Sequence, residues 1–318
     1  MEKKYHSTKK ETVGGNTGTG TTDKSRLPSD DRKKEGKRHF LVVAAASRGA
    51  RIFVKRALQQ GHDVTALCRA KDDEDALKRM QSLVKETKLT AGGPPVSAQE
   101  GTLRASSRDI TNPITFRDML DGDPSIDALC CFVGVTSVKQ MMSRSFKLYL
   151  RTVTAMTNGM RESRWVETFY HSSVGAAGVP GTSRMGWPQN YNLLFKFYSF
   201  VLVPIFFPVY QDVVNSENVL GAAAKEGLKF VIFRPGALND KAAERHVGCS
   251  FDETSLDEGP VELRHADVSI SREDVAEQIL RVASAAEHER EKWHGHGVYM
   301  VNMMPDYRGE MIKWSSGK

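Results

Sequence analysis

His39-Phe40-Leu41-Val42-Val43-Ala44-Ala45-Ala46-Ser47-Arg48-Gly49-Ala50-Arg51-Ile52-Phe53 is the stretch from which the fold can be read. Phe40–Ala45 is an unbroken apolar run of the length and type of a buried strand. From Ser47 to Gln60 the spacing changes to that of a helix, with Ile52, Phe53, Ala57 and Leu58 recurring on one side. Gly61 stops that helix, and His62–Cys68 reads as a second strand. Strand, helix, strand in some thirty residues is a parallel crossover unit, which is right-handed almost without exception.

The same alternation continues outward. A charged helix spans Asp72–Lys88, a Gly/Pro loop Ala91–Gln99, and a weak strand lies near Thr102–Ala105. Asn112-Pro113 pairs a helix cap with proline at the first helical position. Strands are expected at Ile126–Val133, Val166–His171, Lys229–Arg234 and Val298–Val301, with helices at Met141–Arg161, Asp212–Gly227 and from Ser271 to about Ala285. The last helix opens on Ser271-Arg272-Glu273-Asp274, a capping box. The fold class is therefore α/β, a doubly wound parallel sheet in a single domain over residues 39–318. One run breaks the rhythm: Phe197–Tyr210 has 14 residues, interrupted by Pro204 and Pro208. That is short of the roughly 20 apolar residues of a membrane span, so stable membrane insertion is not expected.

Residues 1–38 are different in kind, a basic tail with 11 Lys/Arg and 6 acids and almost no apolar periodicity. Such a segment cannot offset its ordering entropy and is expected to be disordered. Its Gly14–Gly20 run follows no strand, so it reads as linker composition and not as a phosphate loop. The whole chain has 45 Lys+Arg against 39 Asp+Glu, and most of the excess lies in that tail. A basic nucleic-acid-binding body is therefore not indicated, and an acidic protein partner for the tail stays open. The tail has no apolar signal core, and its acids argue against a transit peptide. Cys68, Cys130, Cys131 and Cys249 form no C-x-x-C pair, which suits a reduced, cytoplasmic location. His294 and His296 have no third ligand nearby in sequence, and no metal is assigned.

The chemistry starts at the junction Ala44–Ala50. In a dinucleotide fold this turn receives the pyrophosphate on backbone N–H groups and the helix dipole. The usual glycines at 44, 47 and 50 are replaced by Ala44, Ser47 and Ala50, all small, although alanine is a poor substitute wherever positive φ is required. At the end of the second strand, where an acid selects NAD, stands Arg69, and Arg48 lies in the loop. Two arginines favour a 2′-phosphate, and so NADP.

Further stretches follow in an order that resembles the atypical short-chain dehydrogenases/reductases. They are Arg108-Asp109-Ile110-Thr111, Ile126–Gly134, Tyr170-His171-Ser172-Ser173-Val174-Gly175-Ala176, Phe233-Arg234-Pro235-Gly236-Ala237-Leu238 and Ile270–Ala276. The likeness is to the NAD(P)H-binding branch that includes biliverdin reductase B/flavin reductase and NmrA-like proteins, and it covers roughly His39–Val301. It implies a Rossmann-type NAD(P)-binding fold. It also implies a pyrophosphate site at Ala45, Ser47, Arg48 and Gly49, with Arg48 and Arg69 on the 2′-phosphate. Asp109 and Ile110 would flank the adenine, Val133 and Gly134 the nicotinamide ribose. Ser172, Ser173, Pro235, Gly236 and Ala237 would face the nicotinamide, with Ser173 or solvent as proton source. From the residues alone, Asp109 equally reads as a turn cap, and Ser172 and Ser173 as partners for strand-end polar groups.

The short-chain Tyr-x-x-x-Lys is missing. Only Tyr5 has a lysine four residues on, Lys9, in the tail, and Tyr191 is followed by Lys196, one residue too far. The expected reaction is direct hydride transfer to a small planar conjugated acceptor such as a flavin, quinone or biliverdin, with Phe195–Phe207 as an apolar face for it. The alternative is a non-enzymatic NADP-binding regulator or redox sensor acting through protein partners.

Overall fold

The computed structural model describes residues 36–89, 100–134, 147–173, 207–244, 247–251, 266–267 and 269–303. The tail to residue 35, the loop 91–99, residues 141–146 of the expected helix, Tyr191 with Lys196, and the apolar run up to Phe206 lie outside the described residues.

The order of elements begins β1 (His39–Val43), α1 (Arg48–Gln59), β2 (Asp63–Leu67), α2 (Asp73–Glu86), β3 (Leu103–Ser106), α3 (Pro113–Gly122) and β4 (Ala128–Cys131). It continues with α4 (Leu148–Glu162), β5 (Glu167–His171), α5 (Phe207–Ala224), β6 (Phe230–Pro235), β7 (Ala237–Asn239) and β8 (Val247–Phe251). After β9 (Ala266–Asp267) and β10 (Ser269–Ser271) come α6 (Arg272–Ser284), α7 (Glu287–Arg290) and β11 (His296–Met303). Seven strands run parallel in the order β3-β2-β1-β4-β5-β6-β11. The sheet is doubly wound from β1 outward in both directions, so the carboxyl ends of β1 and β4 flank the point where the winding reverses.

Local chemistry explains the elements. In α1, Ala50, Phe53, Val54 and Ala57 repeat at helical spacing and all four are buried. Asn112 caps α3 with its side chain on the Ile114 amide, and Pro113 occupies the first turn. Ser271 caps α6 and bonds the Asp274 amide at 3.0 Å, while its hydroxyl donates to the Asp274 carboxylate at 2.7 Å. Strand residues alternate between two cores. Phe40, Val42, Ala128 and Cys130 pack under α1, α2 and α6. Leu41, Val43, Leu129 and Cys131 pack under α3, α4 and α5.

Two features depart from expectation. The sheet carries an antiparallel edge, because β8 and β9 both pair with β11 in the opposite sense. Helix α5 begins at Phe207, ahead of the expected Asp212, because proline at 208 falls in the first turn, where its missing N–H costs nothing. The cysteines are unpaired, with Cys68, Cys130 and Cys131 buried. Among the described residues no helix is long and apolar enough to cross a membrane.

Candidate dinucleotide site

The turn after β1 is fixed by two backbone bonds, Ala45 N to Leu67 O and Ser47 N to Ala44 O, both 2.9 Å. Ala44 sits at φ +57°, the one non-glycine residue with positive φ among those described. A Cβ in that region costs about 1–2 kcal/mol. The loop thus adopts the glycine-type conformation without the glycine. Ser47 then caps α1, its Oγ accepting from Ala50 N at 3.4 Å. The first helical bond runs from Arg51 N to Ser47 O, so the amides of Arg48 and Gly49 lie ahead of it. No acid stands in the first turn of α1. A Cβ on Gly49 would meet only Phe132 Cδ1, at an ordinary 3.7 Å. These amides, the bare dipole and the close backbone suit a pyrophosphate, so the residues present fit a dinucleotide at this position.

Charge around the loop is arranged differently from the expected clamp. Arg48 and Arg69 are both exposed. The Arg48 guanidinium pairs with Asp240 at 2.7 Å, and Arg272 reaches the other oxygen of the same carboxylate at 2.7 Å. Asp240 thus bridges the first residues of α1 and α6. The Asp109 carboxylate accepts from Thr111 N at 2.8 Å and Thr111 Oγ1 at 2.9 Å, closing its own turn, which is the turn-cap alternative. Ile110, beside it, packs on the core under α3, α4 and α5.

Across the winding reversal from this loop lie the carboxyl ends of β4, β5 and β6. Phe132 and Val133 are buried, and the chain reaches half-buried Gly134. Phe132 tilts against Phe53 and stacks on the His171 ring at 5.7 Å between centroids. Burial, with Arg272 adding to it, holds the His171 imidazole down at about 4 against the pull of its own backbone bond, so the ring is neutral at neutral pH. Ser172 is buried, and its hydroxyl donates to Glu217 Oε1 at 2.5 Å. Glu217 in turn receives Arg234, 2.8 Å from Nη2 to Oε2, and both charges are buried. A buried pair of this kind needs every oxygen satisfied, and Ser172 supplies one of the bonds. The Ser172 hydroxyl thus has a buried carboxylate as its partner, in keeping with the strand-end reading of this residue. Ser173 follows it, half-buried. Pro235 and Gly236 are buried, and Gly236 N bonds Met300 O at 3.0 Å. Of the three residues of that motif, only Ala237 is exposed.

One residue at this end was passed over in the sequence. Tyr149, the second residue of α4, places its hydroxyl 3.9 Å from the position of a Cβ on Gly134. Its amide is held by Asp212 Oδ2 at 2.8 Å, and Leu150 N by Oδ1 at 3.2 Å. Asp212 belongs to α5 and is 3% exposed. Burial pushes its carboxyl above the usual range in spite of the two amide bonds. Lys147, the local cap position, makes no side-chain cap bond, so α4 takes its cap from its neighbour. Spacing along the chain gives no sign of this, since the partner is 63 residues away.

No family model matches the chain, and no curated protein matches it by sequence. Solved structures do. A short-chain dehydrogenase/reductase from Veillonella parvula, in complex with NADP, superposes with a TM-score of 0.51 at 16% identity, over 84% of this chain and 95% of that one. An oxidoreductase from Lactococcus lactis gives 0.52 at 16% identity, over 83% and 90%. A Streptococcus pneumoniae protein proposed to be an NADH-flavin reductase gives 0.50 at 14% identity, over 83% and 99%. At such identities the likeness is one of fold.

Proposed function

On a fold shared with short-chain-type NAD(P)-binding proteins, we propose that this chain is a reductase. It binds a reduced nicotinamide dinucleotide, NADPH ahead of NADH, across the carboxyl ends of β1 and β4, and uses it on a planar conjugated acceptor such as a flavin, quinone or biliverdin. The observation that carries this reading is Ala44. Backbone strain persists where the surrounding structure enforces it, and such positions cluster at functional sites. Here two backbone bonds hold the strained residue in the turn that faces an acid-free helix N-terminus. The bound group supplies the hydride. Arg48 and Gly49 offer their amides to the pyrophosphate. Arg69, exposed at the end of β2, and Arg48, once it leaves Asp240, supply charge for a 2′-phosphate. Val133 and Gly134 border the nicotinamide half. Buried thiols without disulfides support work in a reducing compartment such as the cytoplasm.

The test is a titration of the purified chain with NADPH and NADH, followed by reduced-nicotinamide fluorescence. NADPH should bind at least tenfold more tightly, and Arg69→Ala should remove the difference. Failure to bind either nucleotide overturns the reading.

A second reading, a dinucleotide-binding regulator without turnover, is favoured by the closure of Ser172 on Glu217. It expects nucleotide binding, no acceptor reduction, and a protein partner lost on removal of residues 1–38.

A further inference from the structure

We propose that Tyr149 is the proton donor of this reduction, a phenol delivered from the start of α4 in place of the absent Tyr-x-x-x-Lys tyrosine. The proposal rests on the reductase reading. Two observations lead to it. The Tyr149 hydroxyl stands beside Gly134, the residue that the proposed reading sets against the nicotinamide half of the dinucleotide. Its backbone is fixed by the buried Asp212 carboxylate, so the ring is carried by a preorganised helix terminus and not by a loop. A phenol is a much stronger acid than a serine hydroxyl such as that of Ser173 and matches a developing oxyanion or ring-nitrogen anion better.

The bookkeeping is that of an ordinary two-electron reduction. The hydride brings the electron pair to one atom of the acceptor, and the dinucleotide is oxidised. The Oη–H bond of Tyr149 breaks, a new O–H or N–H bond forms at the acceptor heteroatom, and water returns the proton to the tyrosinate. Asp212 is a positioning residue in this scheme and never meets the acceptor.

The experiment uses the full chain with FMN and menadione as acceptors, and compares wild type with Tyr149→Phe and Tyr149→His. For each protein the melting temperature, the NADPH dissociation constant, kcat and KM are measured. In the expected result Y149F melts within a few degrees of wild type and binds NADPH within about twofold, yet turns over about 100-fold more slowly, the usual worth of a positioned acid. Tyr149→His, which restores a donor, recovers part of kcat. Turnover of Y149F equal to wild type overturns the proposal. So does a loss confined to NADPH affinity, which would make the phenol a binding group. If wild type binds NADPH and reduces neither acceptor, Tyr149 has no catalytic role toward them and the dinucleotide reading survives. If wild type binds no NADPH, both readings fall together.

Discussion

Ala44 spends conformational energy that glycine would not, and that makes it a sensitive residue to change. Relief of its positive φ is worth about 1–2 kcal/mol, and the added freedom of glycine in the unfolded chain returns about 0.5–1 kcal/mol of this. Ala44→Gly should therefore raise stability by up to about 1.5 kcal/mol, read as a higher urea midpoint at unchanged slope. A lower midpoint would mean that the methyl group packs better than the strain costs. Asp240 works on the same loop through charge. It occupies Arg48 and Arg272 with a carboxylate where a dinucleotide would bring phosphates. Asp240→Asn should tighten NADPH binding severalfold, most at low salt, because a competing anion has been neutralised. Equal affinity at 20 mM and 300 mM salt in both proteins would remove that role. Ser172→Ala deletes a hydrogen bond to a buried charge and should cost about 1.5–3 kcal/mol.

Between elements, α3 and α4 meet at close range. A Cβ on Gly159 would lie 2.5 Å from the Pro113 carbonyl oxygen and 2.6 Å from Phe116 Cβ, so glycine here is a matter of helix approach. Gly159→Ala should cost about 1–3 kcal/mol through overpacking, even though alanine is the better helix former. An unchanged melting temperature would show that the two helices can part at no cost. What was legible in the sequence follows the same division between near and far. Asn112-Pro113 and Ser271-x-x-Asp274 could be read because a cap is settled within three residues. The loop Ala44–Ala50 could be read because its spacing between strand and helix is local. The reversal of β8 was hidden, since Val247–Phe251 takes its direction from β11, tens of residues on. Tyr149 was hidden for the same reason. A search for lysine four residues on meets Val153, whereas the group that orients the tyrosine is Asp212 on another helix. Asp240 and Arg272 meet only because β7 and β10 lie side by side.

At the scale of the whole fold, burial and neighbouring charge set two separate acid windows among the described residues. At the amino-terminal end of the sheet, His62 is held down at about 4 by burial and by Arg38, and at the carboxyl end His171 is held at about 4 by burial and Arg272. Both are neutral in the folded chain at pH 5, while the unfolded chain protonates them below its ordinary 6.5. Their folded values are lowered, so the unfolded state gains protons first. Stability is therefore lost as pH falls from 6.5 toward 4, by about 2 kcal/mol for each histidine at pH 5. Glu167 belongs to a lower window. Burial opposes its charge, but His294, Arg38 and Arg290 around it prevail and hold it near 2. Arg38 lies at 2.7 Å and Arg290 at 2.9 Å. Its contribution is complete above the unfolded carboxylate value of 4.5 and disappears as pH falls through 2. Urea midpoints between pH 7 and 5 should then report the histidines and not this cluster. Over that range the His62→Gln/His171→Gln double variant should lose much less of its midpoint than wild type. A double variant with the wild-type slope would show that the acid sensitivity resides in other groups and that neither imidazole is kept neutral by the fold.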